Sequence, residues 1–290
     1  MTQDVLGIPV ELSAPFDFSF LGRYGRPFCV FDQQQSGNIC FGMQSERWGK
    51  LFVKFAGAPA VNAAVTPAQS IQTLRESVPK YEVLSTHPAL VTLRGHGDVA
   101  GGYAAIFNWA EGVSLRPDKR FGNERYTHPE SPVYRLHHQP LLTRLRMLDS
   151  VFDFHAYALR MGYVAVDFYD ASLIADFNTG SVAICDIDLY RPLPAVNDMG
   201  RMQGSSRFMS PEEYEKGAPL DALTTQYNMG ALAFSFLGLK GSRERAAWMA
   251  GGALYQVAAR ACSEDRAARY PDMESFLAAW RSTVSASTVY

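Results

Sequence analysis

The chain of 290 residues is 47% hydrophobic and 19% charged with a net charge of −2, which suits one large or two modest hydrophobic cores in water. No long basic run occurs, so a nucleic-acid or anionic-membrane footprint is unsupported, and no apolar span approaches membrane length. Cys29, Cys40, Cys185 and Cys262 are widely spaced and mostly within apolar runs, which predicts core thiols in a reducing compartment. A start with no basic region leading into an apolar run adds the expectation of a cytoplasmic protein.

Residues 1–27 mix Pro, Gly and aromatics and read as an extension packed onto the first strands. Strand-like runs follow at residues 28–32, 38–44 and 50–55. The third, LFVKF, sets Lys54 among β-formers, where a half-buried ammonium needs an anionic partner. Thr66-Pro67-Ala68-Gln69 is a capping box with proline at the first helical position. The helix runs towards Leu84, with Pro79 expected to kink or divide it and Glu76 or Glu82 as candidate partners for Lys54. Residues 90–93 and 103–107 read as two more strands, and the polar, glycine-ended stretch after Phe107 reads as a hinge. Charged, proline-containing residues 116–132 read as a surface loop, and the pair His137-His138 as surface histidines without metal-ligand spacing.

From Pro140 a helical period runs to Leu159, with Gly162 as its C-cap glycine and His155 as a hydrogen-bonded core histidine. The stretch around which the rest is organised comes next: GYVAVDFYDASLIADFNTGSVAICDID, residues 162–188. Apolar runs at 172–177 and 181–185 flank the turn tripeptide Asn178-Thr179-Gly180, a hairpin signal. Asp167 precedes the hairpin and Asp186 follows it, so both carboxylates should open onto the same end of the ladder, as a metal–phosphate site requires. Residues 189–204 read as irregular, and Ser210-Pro211-Glu212-Glu213 as a second capping box. Residues 222–239 are apolar all round, which predicts a buried helix. Helices at about 244–261 and 273–281 finish the chain, the last capped by Asp272.

This order of parts, with LFVKF, IFNWAEG, GYVAVDFYD, CDIDLYR, MGRM and GSSRFMSPEE, resembles the eukaryotic-type protein kinase superfamily, and more narrowly a group of bacterial proteins commonly labelled serine/threonine protein kinases. The resemblance spans about residues 28–281. It implies an α+β, bilobal protein kinase-like fold: a small five-stranded antiparallel-sheet N-lobe with one main helix, and a large, mainly helical C-lobe. The corresponding spans are an extension over 1–27, the N-lobe over 28–107, a hinge over 108–112 and the C-lobe over 113–290. The cofactors implied are ATP and Mg²⁺. By this likeness Lys54 grips the α/β-phosphates, and the phosphate loop falls on residues 32–39, where Ser36 and Gly37 are the candidates. Phe107 becomes the gatekeeper, with the backbone of Asn108, Trp109 and Ala110 facing adenine. Asp167 becomes the base that orients the acceptor hydroxyl, and Asp186 the Mg²⁺ ligand. Glu212 is expected to pair with Arg269 as a buried bridge.

The departures from the family pattern are specific. Ser172 replaces the metal-binding Asn, with Asp170 as an alternative ligand, and Asp188 replaces a glycine and adds a carboxylate beside the metal. Tyr169 stands where protein kinases usually carry Lys, Val166 where they carry Arg, and Thr225 where the central helix carries Asp. The implied activity is transfer of the γ-phosphate of MgATP to a Ser/Thr hydroxyl of a protein. Two alternatives stand beside it: a small-molecule kinase acting on a metabolite or antibiotic, and a pseudokinase binding module. The partners are then a nucleotide and a hydroxyl acceptor, with no nucleic acid and no membrane.

Overall fold

The structure, a computed structural model, describes residues 1–116 and 120–287. Short runs rich in β-branched and aromatic residues recur in the early chain, and at those runs the backbone is extended. β1 (Thr2–Val5) and β2 (Ile8–Glu11) form a hairpin, followed by a 3-10 turn at Ser19–Tyr24. Next come β3 (Arg26–Phe31), β4 (Asn38–Ser45), β5 (Gly49–Ala56), α1 (Pro67–Val83), β6 (Leu93–Val99) and β7 (Gly102–Asn108). Five of these strands make one antiparallel sheet in the order β3-β4-β5-β7-β6. Residues 1–27 are more than an extension: they build their own hairpin and send Val5, Val10, Leu12, Phe18, Phe20 and Leu21 into the core beside Phe41 and Phe55. Phe18 meets those two rings at 5.5 and 5.8 Å.

Two further expectations change here. The strand placed at 90–93 begins instead at Leu93 and runs through RGHGDV. It is an edge strand whose residues alternate between half-buried and exposed, and an edge bonded on one side tolerates glycine and charge. Pro79 does not divide α1, which continues through it. Leu74, Val78 and Tyr81 are buried on both sides of the proline, and their tertiary packing holds the turn that the missing N–H weakens. The capping box at Thr66 and Gln69 is formed in both directions.

The chain divides into two compact units, Met1–Ala110 and Glu111–Tyr290. The second contains β8 (Val113–Ser114), a 3-10 turn at Gly122–Tyr126, α2 (Pro132–His137), α3 (Leu141–Arg160) and β9 (Tyr163–Val164). β10 (Leu173–Asp176) and β11 (Ser181–Ile184) then pair as a hairpin, with β8 on the far side of β10. Short strands β12 (Arg191–Pro192), β13 (Ala195–Val196) and β14 (Pro219–Leu220) lead to α4 (Ala222–Leu237), α5 (Gly252–Ala261) and α6 (Met273–Ser287). Helix outweighs strand in this unit, and the whole chain is mixed α and β with antiparallel sheets.

The loop read over 116–132 holds the 3-10 turn at Gly122–Tyr126, while its residues 117–119 lie outside the described residues. The histidine pair is structural: His137 Nε2 lies 2.9 Å from the Ser235 carbonyl, and His138 stacks on Tyr134 at 3.7 Å. The stretch expected as one helix over 244–261 is a 3-10 turn at Arg245–Ala247 and then α5. Trp248 stands between them, its Nε1 donating to the Gly251 carbonyl, and the adjacent glycines are poor helix formers. The second capping box opens only a 3-10 turn, Pro211–Tyr214. α4 is buried on nearly every side, and Phe152, Phe276 and Trp280 pack between α3 and α6. No described helix is long and apolar enough to cross a membrane, and the four cysteines form no disulfide.

Candidate functional site

The β10–β11 hairpin is closed at its turn by Asp176, whose carboxylate accepts from Asn178 N at 2.9 Å and Thr179 Oγ1 at 2.8 Å. Gly180 there has φ +72°, a left-handed value that a side chain resists. The ladder pairs Leu173 with Ile184 at its other end, and Cys185 N extends it with a 2.9 Å bond to the Ser172 carbonyl. Beyond that open end the two strands carry Asp167–Ser172 and Cys185–Asp188, so the hairpin does return the acids to one end, as its sequence predicts. Asp167 has φ +60° and Asp186 φ +58°. Left-handed backbone costs a non-glycine residue about 1–2 kcal/mol, and Asp tolerates it better than most.

The electrostatics follow from this crowding. Burial, then the charges of Asp186, Glu213 and Asp188, push the Asp167 carboxyl up to about 7, while Arg201 pulls it down. Four carboxyls and one guanidinium therefore act within a single neighbourhood. Burial and the charges of Asp167 and Asp186 push the Tyr169 phenol up to about 12, so it stays a neutral hydrogen-bonding group at physiological pH. Asp186 is exposed, whereas Asp188 is buried. Mg²⁺ bound to a nucleotide takes one or two carboxylates and otherwise phosphate and water oxygens. An exposed Asp186 with Asp188 two residues on suits that donor set. Among the described residues no group of three His, Cys, Asp or Glu could hold a metal unaided.

The other proposed ligands are placed differently. Asp170 is buried, and both its oxygens accept from Arg207 Nη2, at 2.9 and 2.8 Å. Its carboxylate is engaged by a guanidinium, so Asp170 acts as a strut rather than an open metal ligand. Ser172 is buried, its N–H bonded to the Tyr169 carbonyl at 3.0 Å. Beneath the two acids lies His155, fully buried on α3 as expected of a core histidine. Its Nδ1 donates to the Val151 carbonyl at 2.7 Å, and its Nε2 is hydrogen-bonded with the Tyr190 hydroxyl at 2.8 Å. Its ring also meets Phe168 at 4.2 Å, edge on. Phe168 follows Asp167 and Tyr190 follows Asp188 by two, so one histidine ties both acid-bearing turns to the same helix.

A third segment completes the second unit's site. Asn197 is fully buried and its side chain bonds the Met199 and Gly200 N–H groups and the Gly200 and Glu212 carbonyls. The chain then passes Gly204, whose φ is +138° and where an added Cβ would stand 3.7 Å from Asp167 Oδ1. Glu213 is anchored by Ser210 N at 2.7 Å and Asn228 Nδ2 at 3.0 Å. Glu212 pairs with Arg269 at 2.6 Å in the buried bridge expected from the sequence, and also with Arg266.

In the first unit Lys54 lies on β5 opposite Cys40 and Ala105, only 8% exposed. Ser36 is exposed, its Oγ accepting from Asn38 Nδ2 at 3.2 Å, and Asn38 Oδ1 accepts from Ser70 on α1 at 3.0 Å. Gly37 has φ +73°, and the loop is thereby pinned to the start of α1. Glu76 sits on the exposed face of α1, bonded to Gln72, while Glu82 lies 3.3 Å from His96 Nε2. The buried face of α1 carries Ser70, Leu74, Ser77, Val78 and Tyr81 and no carboxylate, so neither glutamate is on the face that packs inward. Phe107 is buried against Tyr81 at 4.9 Å. Asn108 N donates to Thr92 O and Trp109 N to Lys50 O, while the Trp109 ring rests on Phe28, and Ala110 is half-buried.

Sequence reasoning missed Arg201, Gly204, Glu213 and Arg207 as parts of this site. Only MGRM and GSSRFMSPEE flagged their segment, and nothing in those strings says which side chain returns to Asp167. No protein-family model matches the chain, and a search of curated proteins returns no match.

Proposed function

We propose that the chain is an ATP-dependent phosphotransferase of protein-kinase-like fold that acts on a Ser/Thr hydroxyl of a protein. The observation that carries the reading is the Asp167 carboxyl, half-buried at the open end of the hairpin and drawn to about 7 beside Asp186. A base that ionises near working pH is suited to take a proton from a hydroxyl. The five-stranded antiparallel sheet with α1, the second unit in which helix outweighs strand and the Glu212–Arg269 bridge support the fold part of the proposal.

In this reaction the acceptor oxygen attacks the γ-phosphorus, its proton passes to Asp167, and the β–γ bridging oxygen leaves with the bonding pair as ADP. Mg²⁺, held at Asp186 with help from Asp188, would neutralise charge on the phosphates. Lys54, kept on a rigid strand, supplies an ammonium for the α/β-phosphates. Tyr169 keeps its proton and so offers a hydrogen bond where a lysine would have offered charge. His155 holds the two acid-bearing turns in place during turnover.

A second reading, a small-molecule acceptor, is favoured by Tyr169 and Val166 standing where protein kinases usually carry Lys and Arg. The test is ADP release with protein and with metabolite acceptors, using Asp167→Asn and Asp186→Asn as controls. Each variant should lose about a hundredfold or more in kcat with its circular dichroism unchanged. Turnover that survives both substitutions rules out these roles, and nucleotide binding without turnover points to a binding module.

A further inference from the structure

The acids around Asp167 pose a problem that the phosphotransfer reading leaves open. Asp167, Asp186, Asp188 and Glu213 all bear on one point, and a phosphoryl group arriving there brings more negative charge. Mg²⁺ held at Asp186 would answer part of it, and Tyr169, being neutral, brings no positive charge. The cation acting on Asp167 is Arg201.

Arg201 is held by its own segment. Asn197 fixes the turn before it by bonding Met199 N, Gly200 N and the Gly200 carbonyl. Met202 behind it is buried, with its N–H on the Glu213 carbonyl at 2.9 Å. The guanidinium then folds back on its own chain: Nη1 donates to Met202 O at 3.0 Å and Nη2 to Gly204 O at 3.2 Å. A Cβ added at Gly204 would stand 3.1 Å from Met209 Cγ and 3.7 Å from Asp167 Oδ1, so the stretch that holds the guanidinium passes beside that carboxylate. The same guanidinium lies over the Tyr214 ring at 5.9 Å. Two of its five N–H donors are used on carbonyls, which orients the group without neutralising it. A cation already fixed in place costs no reorganisation when charge develops.

We propose that Arg201 is a catalytic residue, the guanidinium that meets the transferred phosphoryl group beside Asp167. The inference rests on the phosphotransfer reading, and it assigns to residues 197–204 the task of delivering this cation. It makes Asn197, which fixes the turn, a positioning residue.

Full-length wild type, Arg201→Gln and Arg201→Lys are compared by ADP release at saturating MgATP. Arg201→Gln should lower kcat by about a hundredfold while KM for ATP stays within about twofold, and Arg201→Lys should recover most of the loss. A merely structural arginine would instead lower the melting temperature with kcat and gain nothing from lysine. The second arm needs no turnover. The Arg201 Nε–H NMR resonance, assigned by its absence in Arg201→Gln, is followed as magnesium pyrophosphate is added. It should shift and saturate, whereas a flat titration overturns the proposal, as does kcat in Arg201→Gln within twofold of wild type. If wild type phosphorylates nothing yet Arg201 responds to pyrophosphate, the phosphotransfer reading fails and the anion contact stands. If turnover is normal and Arg201 is silent in both arms, the reading stands and the inference falls.

Discussion

A carboxyl poised near neutrality owes that value to what surrounds it, and Asp167 is surrounded by burial, three acids and one guanidinium. The consequence for stability has a definite sign. Because the folded-state value is raised from 3.8 to about 7, the contribution is complete below the ordinary value and is lost as pH rises through about 7. Within that window the metal-free protein should lose about 1.4 kcal/mol of stability per pH unit from this group. Asp167→Asn removes the titration, so its urea midpoint, followed in chelator from pH 4 to 8, should fall less steeply than that of wild type. Parallel curves for the two proteins count against the crowding of acids described for Asp167. This electrostatic setting was not legible in the chain. GYVAVDFYD and CDIDLYR announce two acids, but Glu213 and Arg201 reach Asp167 only through the fold.

At the scale of elements, α1 tests how far local rules govern. Its start was legible because the Thr66 capping box is a purely local device. Its passage through Pro79 was not, because burial of Leu74, Val78 and Tyr81 is supplied by the sheet. The proline still removes one hydrogen bond on the exposed side of the helix. Pro79→Ala should therefore raise stability by about 1–3 kcal/mol and shift the denaturation midpoint upward at unchanged slope. A midpoint that stays put or falls would show that α1 gains something from the ring. The hairpin β10–β11 was read within a residue or two because its turn chemistry is local, carried by Asn178, Thr179 and Gly180. β6 was misplaced by three residues, since an edge strand owes its position to β7 rather than to its own composition.

For the molecule as a whole the question is whether a nucleotide stabilises it. A ligand that binds only the native state adds RT ln(1 + [L]/Kd), about 2.7 kcal/mol at a hundredfold excess over Kd. MgATP should thus raise the melting temperature of wild type in a concentration-dependent way. Lys54→Met, which keeps the length and apolar stem of a residue 8% exposed on β5, should lose most of this shift, measured from the variant's own unliganded melting temperature. An equal shift in the variant would remove Lys54 from the phosphate site. The amino-acid sequence alone determined the properties that depend on neighbours in the chain: the capping boxes, the hairpin turn, the apolar period of α3 and the burial of α4. Tertiary structure decided which further charges meet: Asp170 with Arg207, Glu212 with Arg266, and Arg201 with the acids about Asp167. Coulomb forces act through space, between residues that the chain separates by tens of positions and only folding draws together.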